Sequence, residues 1–297
     1  MRNFLSIESL TPEQISRLLA DTDLMKVRRG KEDAHVLKGQ CWALIFSKSS
    51  TRTRVSFEVG IRELGGGVMF LAAADIQLGR GEPICDTARV MGGMLHGAVI
   101  RTFEQQEVED FAAYSQIPTI NALTDAEHPC QIIADLFTIM ETRGSLDGLK
   151  VAFIGDGDCN VARSWMWAAA RCGFELRIAA PHDFQPPSEF VSRVDGNIIV
   201  TNDIRAASEG VDVLYTDVWV SMGKEEEAAL RVAKFAGYQI SAELCALAPE
   251  AMVMHCLPAY RGKEITADVL EAHAHTIFRQ AENRLHAQKA ILAELVS

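Results

Sequence analysis

Blocks of apolar residues recur along the chain at lengths that distinguish strands from helices. Cys41–Phe46 is a continuous apolar run and predicts a buried strand; Val55–Leu64, with Phe57, Ile61 and Leu64 at helical spacing, predicts a helix. That helix stops at Gly65-Gly66-Gly67, and Val68–Leu71 reads as the next strand. Strand, helix and strand in this order form a βαβ unit and imply a parallel sheet. Upstream, Thr11 is placed as an N-cap with Pro12 at the first helical position, and Ile15, Leu18 and Leu19 form the apolar face. Downstream come a helix carrying Ala88, Met91 and Leu95, a strand over Ala98–Ile100, a helix over Val108–Tyr114 and a short strand over Ile117–Ala122. His128-Pro129 opens another helix, in which Ile133, Leu136, Phe137 and Met140 share a face.

Thr142–Leu149 reads as a linker, and Val151–Ile154 as the first strand of a second half. Further strands are predicted over Leu176–Ala180, Asp212–Thr216 and Ala251–Met254. Helices are predicted after Asn160, from Glu225, over Thr266–His273 and over roughly 282–295. The predicted fold is α/β: two doubly wound parallel-sheet domains with the active site in an interdomain cleft. One domain takes residues 1–125 plus the C-terminal helix from about 278, and the other takes 126–277. A length of 297 residues suits two domains, and roughly three quarters of the unfolded surface of such a chain is buried on folding.

Composition narrows the partners. A net charge of -11 argues against nucleic acid as a general partner. No apolar run reaches the length of a membrane span, and residues 1–6 turn polar too soon for a signal-peptide core. The seven cysteines form no Cys-x-x-Cys pair, so neither a zinc knuckle nor a disulfide framework is indicated, and free thiols fit a reducing cytoplasm. The expectation is therefore a cytoplasmic protein with no metal and no cofactor.

Polar groups gather where strands end and helices begin. Ser47-Lys48-Ser49-Ser50-Thr51-Arg52-Thr53-Arg54 sits between a predicted strand and a predicted helix. The first backbone N–H groups of a helix lack intrahelical partners and carry partial positive charge, so this turn is an anion site loaded with donors suited to phosphate. Capping hydroxyls and solvated cations are the plain alternative. Arg101 ends a strand, where a surface arginine is the plain reading and a ligand contact the functional one. His128 and Gln131 lie three apart on the first turn of their helix, as a capping pair or as two neutral donors aimed at one carbonyl oxygen. Gly155-Asp156-Gly157 begins like a dinucleotide fingerprint, but Asn160 replaces the third glycine and no acidic residue closes the next strand. Asn160 instead suits a carboxylate or an amide. Asp217 and Ser221 suit an ammonium and a carboxylate, and Cys256 follows a strand end. With no Gly-x-x-x-x-Gly-Lys loop and no acid pair for Mg²⁺, the phosphate reads as a leaving group on a small metabolite.

These blocks, in this order, resemble the carbamoyltransferases, and among them the ornithine-specific branch. Ser50-Thr51-Arg52-Thr53-Arg54 is similar to the family's carbamoyl-phosphate turn, and Arg101-Thr102 and His128-Pro129-Cys130-Gln131 to its next two blocks. Asp217 with Ser221-Met222-Gly223 resembles the ornithine loop, and His255-Cys256-Leu257-Pro258 and Ala281-Glu282-Asn283-Arg284 resemble the closing blocks. The resemblance spans essentially the whole chain. It implies transfer of the carbamoyl group from carbamoyl phosphate to the δ-amine of L-ornithine, giving citrulline and phosphate, as in arginine biosynthesis. It implies that Ser50, Thr51, Arg52, Thr53, Arg101 and Arg284 hold the phosphate. His128, Gln131, Thr53 and Arg101 would polarise the carbamoyl oxygen, and Cys256 and Leu257 would contact the carbamoyl group and the amine. Asn160, Asp217, Ser221 and Met222 would bind ornithine; Arg101, His128, Asp217 and Cys256 form the catalytic set. It also implies a cis Leu257–Pro258 bond and a homotrimer in which Gln77 reaches the carbamoyl-phosphate site of the neighbouring subunit.

Two positions depart from the family. Cys159 stands where ornithine enzymes usually have a second asparagine, which removes an expected contact to the amino acid, and Tyr260 stands where histidine is frequent. Both bear on the acceptor. The alternatives are a carbamoyltransferase acting on putrescine or an N-acylated ornithine, a nucleotide-dependent oxidoreductase built on the Gly155 turn, and a catalytically silent metabolite-binding module.

Overall fold

The structure is a computed structural model and describes residues 1–32, 35–72, 81–221, 223 and 225–297. The chain separates into two compact units, Met1–Phe137 with Asn283–Ser297, and Thr138–Glu282. The units exchange inside a helix at 137/138 and again at 282/283, whereas the sequence reading draws these borders at 125/126 and about 278.

Unit 1 begins with α1 (Pro12–Arg28), whose start is a capping box: Thr11 Oγ1 accepts from Gln14 N–H and Gln14 Oε1 accepts from Thr11 N–H. Then follow β1 (Cys41–Phe46), α2 (Thr51–Glu63), β2 (Gly67–Ala72), α3 (Ile84–Gly92), β3 (Gly97–Arg101), α4 (Gln105–Ser115), β4 (Thr119–Leu123) and α5 (Pro129–Arg143). Its four strands are parallel in the order β2-β1-β3-β4. β1 and β3 are central and buried along nearly their whole length, which is why they read as unbroken apolar runs. Gly97 lies opposite Trp42 in the register, and a Cβ there would come within 2.4 Å of the indole. The missing side chain lets Trp42 lie across β3.

Unit 2 contains β5 (Lys150–Ile154), α6 (Asn160–Cys172), β6 (Glu175–Ala179), α7 (Ser188–Val194), β7 (Ile198–Thr201), α8 (Ile204–Ser208) and β8 (Val213–Thr216). It continues with α9 (Ala228–Lys234), α10 (Ala242–Cys245), β9 (Met252–His255) and α11 (Ala267–Ala272); α12 (Ala274–Val296) begins in unit 2 and ends in unit 1. Its five strands are parallel in the order β7-β6-β5-β8-β9. Two apolar layers build much of these cores. Ala43, Ile45, Ala98 and Ile100 pack with Val108 and Phe111 in unit 1; Ile154, Leu214 and Val253 pack with Ile240, Leu244 and Leu270 in unit 2.

Two boundaries differ from the sequence reading. α2 starts at Thr51, not Val55, because Ser50 caps it and draws the polar stretch into the first turn. α12 starts at Ala274, so the block from Phe278 to Arg284 is helical throughout and does not precede the helix.

Candidate active site

In each sheet the strand order reverses at one pair of strands, β1 and β3 in unit 1 and β5 and β8 in unit 2. Open α/β sheets bind ligands beyond the carboxyl ends of such pairs. Among the described residues, the predicted site residues lie at or just after the ends of β1, β3, β8 and β9, at the starts of α2, α5 and α6, and on α12.

The donor half belongs to unit 1. Ser50 is the N-cap of α2, and its Oγ accepts from Thr53 N–H at 3.3 Å. Thr53 is fully buried, and its Oγ1 accepts from Arg284 Nη2 at 2.8 Å and from Arg101 Nη1 at 3.5 Å. Arg101 is the last residue of β3, held level with the β1 end by Ser47 N–H donating to the Arg101 carbonyl at 2.8 Å. Arg284 comes from α12 and is buried like Arg101. Two guanidinium groups therefore converge on a hydroxyl at the positive end of a helix. Thr51 and Arg52 occupy the first turn of the same helix, Thr51 exposed and Arg52 half-buried.

His128 immediately precedes Pro129, the first residue of α5, and is buried. Burial, reinforced by Arg284, Arg101 and Arg52, holds its imidazole well below the ordinary histidine range. It is neutral at pH 7, so it can donate one hydrogen bond without adding a fourth cation to the cluster. Gln131 is also buried, and its Nε2 donates to Asp135 Oδ1 at 2.8 Å, one turn along α5. A carboxylate only accepts, so Asp135 fixes which end of the amide faces it. Gln131 Oε1 has no hydrogen-bond partner among the described residues. The residue presents an acceptor where the sequence reading expects a donor.

Two cations of the opening turn do not join this group. Arg54 is exposed, 3.8 Å from the Phe70 ring and paired with Glu58 at 3.8 Å. Lys48 is buried, bonded to Asp125 and 4.2 Å from the Phe103 ring. Gln77 and Met222 lie outside the described residues.

The acceptor half belongs to unit 2. Asp217 follows β8 and is buried; its Oδ1 accepts from Val218 N–H at 2.7 Å and from the Cys256 thiol at 2.9 Å. Burial raises the carboxyl above its ordinary range, opposed by His255, the Cys256 thiol and the Val218 N–H, and assisted by Glu264. Cys256 follows β9 directly. His255, the last residue of β9, has both ring nitrogens engaged: Nδ1 accepts from Leu257 N–H at 2.9 Å, and Nε2 faces Glu264 Oε1 at 3.1 Å. An Nδ1 that accepts leaves the proton on Nε2, which then donates to Glu264. The same carboxylate oxygen accepts from Tyr260 N–H at 2.5 Å, so one buried acid braces the turn behind Cys256. Leu257 takes a left-handed φ of 58°, and the Leu257–Pro258 bond is cis. Asp217, His255 and Cys256 are a trio of metal-ligand type. The internal bonds of both His255 nitrogens suit the trio to proton handling rather than to metal ligation.

Asn160 is the first residue of α6, capped by Cys159, whose Sγ accepts from Ala162 N–H at 3.5 Å. The turn can be this tight because of Gly157, where a Cβ would come within 2.7 Å of Ile178. Burial and the nearby Asp156 and Asp217 push the Cys159 thiol well above its ordinary value, so it stays protonated. Ser221 is half-buried. His255, Asp135 and Glu264 carry no role in the motifs of the sequence. Asp135 has a local signal in its spacing of four from Gln131; Glu264 meets His255 only through the fold.

Fold and site define a class: a doubly wound α/β protein that offers an anion site on one sheet and a buried carboxylate–thiol pair on the other. Comparison with known proteins supplies the rest. Residues 2–141 match the aspartate/ornithine carbamoyltransferase carbamoyl-P binding domain, and residues 147–295 match the Asp/Orn binding domain of the same family. An ornithine carbamoyltransferase of Akkermansia muciniphila is 60% identical over 299 residues, covering 99% of this chain and 98% of that protein. The solved anabolic ornithine carbamoyltransferase of Campylobacter jejuni superposes with a TM-score of 0.93 at 40% identity, covering 99% of each chain. The ornithine carbamoyltransferase of Pyrococcus furiosus superposes with a TM-score of 0.91 at 41% identity, covering 98% of this chain and 96% of the other. The chain belongs to the aspartate/ornithine carbamoyltransferase family.

Proposed function

We infer that the chain transfers the carbamoyl group of carbamoyl phosphate to the δ-amine of L-ornithine, giving L-citrulline and phosphate. The observation that carries this reading is the convergence of Arg101 and Arg284 on Thr53 at the N-terminus of α2, with neutral His128 in their field. Such a group binds a phosphate and still has a donor to offer to a neighbouring carbonyl oxygen. The donor substrate is an acyl phosphate, a mixed anhydride of one small acyl group, and Gln131 Oε1 supplies the acceptor that the carbamoyl NH₂ requires.

The chemistry follows from charge. A primary alkyl amine has a pKa of roughly 10 in water and is a cation at neutral pH. Asp217 attracts that ammonium, and its raised pKa makes it a better proton acceptor than an exposed aspartate. Once neutral, the amine attacks the carbamoyl carbon; a C–N bond forms and charge moves onto the carbonyl oxygen. His128, Thr53 and Arg101 stabilise that oxyanion. The C–O bond to phosphate then breaks, and phosphate leaves toward Arg52, Arg101 and Arg284, taking up the second proton, which the nitrogen sheds after it has attacked. Holding both reactants replaces a bimolecular encounter. Asn160, Ser221 and Met222 bind the amino-acid end of ornithine, and Cys256 and Leu257 contact the carbamoyl group and the attacking amine.

The remaining assignments extend this reading. We place the reaction in arginine biosynthesis and the protein in the cytoplasm as a homotrimer, with Gln77 serving the neighbouring subunit. No described helix is long and apolar enough to cross a membrane. The test is direct: purified protein is given carbamoyl phosphate with ornithine, putrescine or N-acetylornithine, and ureido product is measured. Product with ornithine alone is expected; product only with another amine would sink the reading.

A further inference from the structure

Arg231 sits on α9, away from every motif above, and yet it is buried. Its guanidinium serves three separate stretches of unit 2. Nη1 donates to Asp156 Oδ2 at 2.7 Å and to the Trp219 carbonyl at 3.2 Å, and Nε donates to Glu227 Oε2 at 2.9 Å. The Phe184 ring lies 4.9 Å from its Cζ. Two of these partners, Asp156 and Trp219, neighbour the acceptor residues in sequence. Asp156 belongs to the turn that delivers Cys159 and Asn160, and its other oxygen accepts from Asp158 N–H at 3.1 Å. Trp219 lies two residues after Asp217, and its indole stacks on Phe235 at 6.0 Å. Glu227 immediately precedes α9.

A buried ion pair confers little net stability when an apolar replacement could fill the same space. The geometry of this one serves position. The β5–α6 turn and the segment after β8 come from the two strands at which the order of the sheet reverses. A single planar, multidentate side chain spans Asp156 and the Trp219 backbone. Only arginine has the fork to bond a carboxylate and a carbonyl on one side and a second carboxylate on the other.

We propose that Arg231 is a positioning residue for the acceptor substrate: it fixes the spacing between Asn160 and Asp217 by clamping Asp156 to the Trp219 backbone. The inference rests on the ornithine reading above and adds to it a residue that touches no substrate. Loosening the clamp spreads the two groups that grip opposite ends of the amino acid. Acceptor binding is then weakened, while the chemistry at saturation and the donor half in unit 1 are left intact.

The experiment compares the parent protein with Arg231→Lys and Arg231→Gln. Lysine keeps the buried cation on Asp156 but is a point donor; glutamine keeps one hydrogen bond and loses the charge. Steady-state kinetics with carbamoyl phosphate and ornithine are combined with calorimetric binding of carbamoyl phosphate alone. The expected result is an ornithine KM raised about tenfold or more in both variants, kcat within about threefold of the parent, and unchanged carbamoyl-phosphate affinity. A merely structural role would lower kcat through loss of active protein, at constant KM, or weaken both substrates together; either pattern overturns the proposal. If Arg231→Gln does not fold, the lysine variant decides alone. No turnover by the parent would overturn the underlying ornithine reading, whereas parent turnover with an unchanged ornithine KM in the variants overturns the inference only.

Discussion

Unit 1 sets its functional groups after β1 and β3, and unit 2 sets its own after β5 and β8, in both cases where the strand order reverses. The same architecture carries opposite chemistry. In unit 1, cations converge on a helix N-terminus, and their field together with burial keeps His128 neutral. In unit 2, a carboxylate is buried against a thiol, and burial raises its pKa. One half gathers cations where negative charge is proposed to develop and depart; the other buries an acid where a cation is proposed to bind and give up a proton. The fold supplies the location, and a few residues at strand ends supply the sign.

The comparison breaks most sharply at Arg52. In the Arg52→Ala variant the phosphate loses a cation whose position in the first turn of α2 coincides with the helix N-terminus. The expected loss is about 10³-fold in kcat/KM, with an unchanged far-UV circular dichroism spectrum and melting temperature, since Arg52 is only half-buried. Near-normal turnover would refute the phosphate role.

Asp217→Asn tests the other half, and there activity and stability move in opposite directions. The amide keeps the acceptor for Val218 N–H but cannot take a proton, so kcat falls by about 10²-fold or more. The carboxyl pKa is raised from 3.8 by burial. Between 3.8 and that raised value the folded protein holds more protons than the unfolded chain. Stability therefore falls as pH rises through this window, and the penalty is fully present above it. The asparagine variant escapes the penalty. It should melt a few degrees higher than the parent at pH 7, and the difference should shrink on acidification below the raised value. A variant that melts lower at pH 7 would show that Asp217 is held by its partners more strongly than burial disfavours it.

The sequence made some of these features plain for reasons the structure explains. β1 is legible because its central place buries every residue from Trp42 onward, and α5 because Pro129 occupies the first helical position, where its missing N–H costs nothing. Residues 182–211 were not read as elements. They contain α7 and α8, of seven and five residues, and β7, of four. At these lengths neither a 3.6-residue nor a two-residue period has room to declare itself. Arg231 and Glu264 were invisible for a different reason: Arg231 meets Asp156 across 75 residues, and nothing local in an acid-rich segment marks one arginine as buried. The motifs mark the groups at strand ends and helix starts, and tertiary structure alone marks those that brace them.

Gln131→Met gives a smaller effect and sharpens the donor half. Methionine preserves volume and removes the acceptor Oε1. Carbamoyl phosphate should bind about tenfold more weakly, since its NH₂ loses a partner in a buried site. Acetyl phosphate, which offers a methyl group at that place, should bind nearly as before. Competition of both ligands, measured against turnover, gives the ratio; equal weakening of the two would mean that Gln131 does not read the N–H.

The mildest change restores what the family resemblance leads one to expect. Cys159 caps α6 through a thiol that accepts from Ala162 N–H at 3.5 Å, and it lies in the field of both Asp156 and Asp217. Asparagine is among the strongest N-caps, and an oxygen acceptor there should add about 0.5–1 kcal/mol of stability. The amide also supplies a second neutral donor beside Asn160, without the charge that a lysine or arginine would set against Arg231. Cys159→Asn should therefore raise the melting temperature slightly and lower the ornithine KM about threefold, a gain the size of one modest hydrogen bond. Carbamoyl-phosphate affinity should not move, because position 159 is assigned to neither the phosphate nor the carbamoyl group. If the variant is stabilised while ornithine KM stays constant, position 159 acts only as a cap, and Asn160 with Ser221 suffices to bind the polar end of the amino acid.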